Sequence, residues 1–156
     1  MVSLLADIKS AFAHRPMPTV VTAYEDDPVD GADAAWFRGK RVESLGAADW
    51  RGRETALFFF TNEAFCYYLQ NVMIIGLNEK SGVDVVGTLL ARLDRPKLSY
   101  WHQTDAALFS TLQAAELAAM RDWLIQLSEV GQYDDDLVSN VERTLILAEE
   151  QNRAAG

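Results

Sequence analysis

Between Leu57 and Leu77 the chain reads LFFFTNEAFCYYLQNVMIIGL, apolar on nearly every side and broken only by the polar step Thr61-Asn62-Glu63. A helix starting at Thr61 places Phe65, Tyr68, Leu69, Val72 and Ile75 on one face, with Cys66, Met73, Ile74 and Leu77 round the other. That is the pattern of a helix covered on both sides. The segment marks a core, and the rest of the chain is read as what encloses it.

Towards the N-terminus the pattern is one-sided. Ser3 can cap a helix whose stripe is Leu4, Leu5, Ile8, Ala11 and Phe12, ended by His14-Arg15-Pro16, with Pro18 preventing a restart. The next stretch, with the acidic turn Glu25-Asp26-Asp27-Pro28, reads as an exposed loop, with a short strand over 19–23 as the alternative. Val29 to Phe37 predicts a short helix broken at Gly39, and Ser44 a capped helical turn through Leu45 and Trp50 before Gly52. Residues 55–60 fit a buried strand and a helical turn alike, and their flanks favour an irregular or helical lead into the Thr61 cap.

Beyond the central helix, Glu79-Lys80-Ser81-Gly82 reads as a turn, and Val83, Val86, Leu89, Leu90 and Leu93 recur at helical spacing until Asp94-Arg95-Pro96. Leu98 to Trp101 is expected to be extended, and Asp105 to Leu112 a short helix. From Gln113 to Val130 the pattern points Leu117, Met120, Trp123, Leu124 and Leu127 inward and Glu116, Arg121, Asp122 and Glu129 outward, with Gly131 as the stop. A last helix spans 134–152, its core face Leu137, Val138, Val141, Leu145 and Ala148, with three N-terminal aspartates complementing the helix dipole. The fold expected is mainly α: one domain over 1–153, an irregular helical array around the buried central helix with at most one or two very short strands, and a frayed tail over 154–156.

Composition supports a packed core, with 49% hydrophobic and 24% charged residues in 156. Fourteen Lys and Arg against 23 Asp and Glu give a net charge of -9, a field that disfavours nucleic acid and anionic membrane as partners. Cys66 is the only cysteine, so neither an intrachain disulfide nor a thiolate metal site can be assembled. The opening MVSLLADIKSAF lacks a secretory pattern, and Gln70-Asn71 split the longest apolar run below spanning length. The expected location is cytoplasmic.

Chemistry-bearing residues are sparse. His14 and His102 have no metal-ligand spacing, and isolated Gly39 and Gly52 are not a phosphate loop, so no metal or cofactor is expected. Ser99 to Asp105 gathers hydroxyl, imidazole and carboxylate without the strand-to-helix turn of a hydrolase nucleophile. Glu63 reads first as a helix-start carboxylate, and buried Cys66 as a small hydrophobe. No catalytic residue is assigned. The one basic and aromatic cluster is Trp36, Arg38, Lys40, Arg41, Trp50, Arg51 and Arg53, residue types enriched at binding hot spots. The competing reading pairs these cations with the preceding acids and packs the tryptophans at the core edge.

The step Phe37-Arg38-Gly39-Lys40, Leu45, and FFFTNEAFCYYL over 58–69 resemble a family of small bacterial proteins of unknown function, marked by an F-x-G-K step and a T-P-E-A-F-x-Y-Y-L-P motif. The likeness covers about residues 30–80 and implies no known activity. This chain departs from it at Asn62 and Gln70, where the family has proline. Proline at the first helical position only pre-sets the backbone, whereas after Leu69 it would kink the helix.

Three readings of function follow. The first is a non-catalytic protein-binding module, in one version an immunity or antitoxin-like protein whose acids over 25–33 and 134–136 meet a cationic partner. The second is a small hydrolase-type enzyme using His102 with Asp105 or Glu63. The third is a homodimer joined through apolar faces of helices 83–93 or 113–130.

Overall fold

The computed structural model describes residues 3–29, 31–78 and 83–156, with only the backbone of Val83. The described residues form nine α-helices and no sheet: α1 (Leu4–Phe12), α2 (Ala32–Ala35), α3 (Ala47–Trp50), α4 (Ala56–Phe59), α5 (Asn62–Asn78), α6 (Val83–Leu93), α7 (Gln103–Thr111), α8 (Ala114–Val130) and α9 (Asp135–Ala155). The protein is mainly α, as the periodicity predicts. Its contacts divide it into two compact units, residues 12–89 and residues 1–11 with 90–156. The expected turn at 79–82 lies outside the described residues, as do Asp30 and the side chain of Val83.

Within the unit of residues 12–89, α5 is the axis. Every residue from Ala64 to Met73 is buried, whichever way it points, so the double-sided pattern does report a helix covered all round. Thr61 caps it: its Oγ1 accepts from the Ala64 amide at 3.1 Å and donates to the Val20 carbonyl at 2.9 Å. The alternative strand over 19–23 reduces to one antiparallel bridge, Thr22 to Phe60, because a single pairing partner passes this segment. Within residues 55–60, Ala56–Phe59 form the one-turn helix α4 and Phe60 is extended in the bridge.

The other one-turn helices differ in detail from expectation. The helix expected over 29–37 is confined to α2, with Phe37 buried just after it. Ser44 does not cap α3. Its hydroxyl donates to the Arg41 carbonyl at 2.7 Å inside a 3-10 turn over Val42–Ser44, and Gly46 takes the cap position, its amide donating to Asp49 Oδ2 at 2.8 Å. A first-turn aspartate reaching back to the preceding amide does what the serine was expected to do.

In the unit of residues 1–11 and 90–156, Ser3 caps α1 as expected, its Oγ accepting from the Ala6 amide at 3.1 Å. α8 packs on α9, and α7 also packs on α9. Gly131 ends α8 in the left-handed conformation, φ 73°, the helix stop that glycine adopts without Cβ strain. Three corrections belong here. Leu98–Tyr100 is a 3-10 turn and not extended, closed by the Tyr100 amide on the Lys97 carbonyl and by the Trp101 indole donating to the Arg95 carbonyl at 2.9 Å. Glu116 points inward, fully buried, where one carboxylate oxygen accepts from the Gln113 amide at 2.8 Å. α9 continues past Arg153 to Ala155, the Gly156 amide closing its last turn on the Asn152 carbonyl. Asp134 caps its start, Oδ1 accepting from the amides of Asp136 and Leu137.

Candidate functional site

Residues 37–45 and the first half of α5 meet in space. Tyr68 on α5 sets its hydroxyl 2.7 Å from the Phe37 carbonyl and 2.8 Å from that of Lys40, one proton shared between two acceptors. Between them Gly39 turns the backbone at φ 75°, a conformation costly for any side chain. One residue earlier on α5, the Tyr67 hydroxyl accepts from the Val42 amide at 3.2 Å. One turn later, Asn71 donates to the carbonyls of Val42 and Leu45 and accepts from the Trp50 indole at 2.7 Å. The F-x-G-K step and the Tyr-Tyr pair are thus halves of one clamp, in which side chains of α5 take up backbone groups over 37–45 that no sheet or long helix satisfies.

Burial, with Tyr67 alongside, pushes the Tyr68 phenol well above the ordinary tyrosine range, so it stays a donor at every physiological pH. Its ring lies among Phe37, Trp50, Phe60 and Tyr67, with centroid separations from 4.9 to 6.4 Å.

The clamp decides which cluster residues reach solvent. Trp50 is fully buried, packed on Phe37 and bonded to Asn71, so it is a core residue and cannot touch a partner. Trp36 is half-buried and carries two cations on its ring: the Arg53 guanidinium carbon lies 3.9 Å and Lys40 Nζ 4.5 Å from the ring centroid. Arg53 is fixed further by donating to the Asp49 carbonyl at 3.0 Å. Arg38 forms an exposed ion pair with Glu25. Arg41 and Arg51 are exposed and form no ion pair among the described residues. Of the cluster, Arg38 pairs with Glu25 and Trp50 lies in the core, while Trp36, Lys40, Arg41, Arg51 and Arg53 remain at the surface.

The acidic stretches are largely engaged in local structure. Glu25 holds Arg38, Asp27 accepts from the Val29 amide at 2.8 Å, Asp33 accepts from the Thr55 hydroxyl at 3.2 Å, and Asp134 caps α9.

Around His102, the buried carboxylate of Asp105 accepts from the Arg92 guanidinium at 2.7 Å and from the His102 backbone amide at 3.0 Å, with Arg95 Nε at 3.5 Å. Burial pushes this carboxyl up, but the amide and the two arginines outweigh it and hold it below the ordinary carboxylate range. A carboxylate so committed knits α6, α7 and the 94–96 turn together and is a poor base. Glu63 is exposed in the first turn of α5, where helix-start stabilisation accounts for it. The Arg92-Asp105-Arg95 cluster escapes sequence reading because its members stand on different elements without fixed spacing.

The apolar faces considered for dimerisation differ from each other. On α6, Val85, Val86, Leu89, Leu90 and Leu93 are all buried, whereas α8 leaves Ile125 and Val130 exposed. No helix among the described residues is long and apolar enough to cross a membrane. No protein-family model, curated protein or solved structure matches this chain.

Proposed function

We propose that this protein is a non-catalytic binding module that takes a carboxylate-bearing segment of a partner protein on the surface built by Trp36, Lys40, Arg41, Arg51 and Arg53. The observation that carries this reading is the half-exposed Trp36 ring with two cations held against it. A guanidinium stacked on an indole and tethered to a backbone carbonyl has little freedom left to lose on binding, so its remaining donors are pre-organised for a carboxylate. Arg41 and Arg51, without an ion pair among the described residues, widen the positive surface. The local use of Glu25, Asp27, Asp33 and Asp134 favours this basic surface over an acidic one that neutralises a cationic partner.

The test is co-purification at low salt from native lysate, comparing the wild-type protein with Trp36→Ala and with the double reversal Arg41→Glu, Arg51→Glu. The reading expects one stoichiometric partner with the wild type, lost with both variants while their helical circular dichroism is unchanged. Capture of nothing, or equal capture by all three, overturns it.

A further inference from the structure

Away from that surface, the C-terminal end of α9, the start of α8 and the turn that joins α7 to α8 enclose an open groove of about 800 Å³. That is the size of a small-molecule site. Its wall on α8 is built from small exposed residues, Ala114 and Ala118, beside the buried Leu117, and Leu112 lines it from the turn. The wall is held in place: Asn152 of α9 donates to the carbonyls of Phe109 and Leu112, both at 3.1 Å, fixing the turn to the helix opposite.

At the groove's polar part, Arg121 Nη1 reaches the two oxygens of Glu149 at 3.3 and 3.1 Å. Only that one nitrogen is used. The Nε–Nη2 edge of the guanidinium has no partner among the described residues, and the side chain is 40% exposed. Arg153 also lines the groove and forms no ion pair among the described residues. Arg121 and Arg153 stand in this groove against Glu149, in a chain whose net charge is -9.

The geometry points to a binding site for a small monocarboxylate with an apolar body, its carboxylate on the open edge of Arg121 and its body along Ala114, Ala118 and Leu117. The planar two-donor edge fits a carboxylate, and such charge-assisted pairs are among the strong hydrogen bonds.

The experiment is a titration of the full chain with decanoate, followed by backbone amide chemical shifts, with decanol and acetate as probes of body and charge alone. Decanoate is expected to give saturable shifts confined to residues 110–121 and 149–155, with decanol and acetate each binding at least about tenfold more weakly. Arg121→Ala should weaken decanoate about tenfold. It removes only a partly exposed ion pair, worth up to about 1 kcal/mol, so the fold is retained. Ala118→Leu, which fills the groove without changing its charge, should weaken decanoate comparably. Absence of saturable shifts, shifts centred elsewhere, or equal decanoate binding by the wild type and both variants would overturn the assignment.

Discussion

A single hydroxyl does much to shape residues 37–45. Tyr68→Phe keeps the ring stack and leaves the Phe37 and Lys40 carbonyls without their donor, a loss expected to cost about 1–3 kcal/mol in urea unfolding. The folded protein holds this phenolic proton more tightly than the unfolded chain does. Its contribution is therefore complete below the ordinary tyrosine value of 10.0 and is lost as pH rises towards the folded value, so the gap between wild type and variant should narrow only above that point. Asp105 behaves with the opposite sign. Its depressed carboxyl pKa gives stability that is present above about pH 4 and is lost as pH falls through the folded value. Asp105→Asn should cost roughly 3 kcal/mol at neutral pH by removing the buried negative charge that Arg92 and Arg95 face, with the difference shrinking in acid. That a tyrosine hydroxyl of the Tyr67-Tyr68 pair needs a buried partner is legible in the sequence, since a polar tip inside an apolar helix must be satisfied. The carbonyls that satisfy it lie about thirty residues upstream and are not.

At the scale of elements, the long helices are legible because apolar periodicity over three or more turns has one structural solution. α6 matches the expected span, and α5, α8 and α9 differ only at their ends. The one-turn helices α2, α3 and α4 are not legible to the same degree, because such short elements depend on contacts from afar, such as the Trp50 indole at the end of α3 donating to Asn71. Glu116 fails for a related reason: periodicity assigns a charged side chain to the outside and ignores its reach back to the Gln113 amide. In the basic and aromatic cluster, composition picks out the residues but cannot tell that Trp50 is core and Trp36 is half-exposed. Proline placed at Asn62 or at Gln70 gives α5 a direct test. Asn62 is the first residue of the helix, where the amide has no intrahelical acceptor, so Asn62→Pro should change stability by no more than about 0.5 kcal/mol. Gln70 lies mid-helix and buried, so Gln70→Pro should cost about 3 kcal/mol or more. Equal midpoints for the two variants in chemical denaturation would mean that α5 tolerates a break where its packing is densest.

For the whole molecule the governing quantity is charge. An excess of acids that leaves the chain at -9 repels itself more strongly in the compact state than when unfolded. Surface pairs such as Arg38 with Glu25 and Arg121 with Glu149 oppose this, but each is exposed enough to contribute at most about 1 kcal/mol. Salt weakens both effects, so the sign of its action shows which is larger. Between about 0.01 M and about 0.1 M the Debye length falls from about 30 Å to about 10 Å, which screens repulsion across the molecule while leaving partly buried pairs such as Arg92 with Asp105 nearly intact. The thermal midpoint is therefore expected to rise with sodium chloride over that range, read by circular dichroism at constant pH. A fall would assign more weight to the exposed pairs than their geometry supports. The same field bears on the proposed binding: a carboxylate-bearing partner would approach an acidic molecule and meet attraction only at short range, around Trp36 and its cations. Modest salt should thus speed its association while the contact pairs, once formed, set the rate of release.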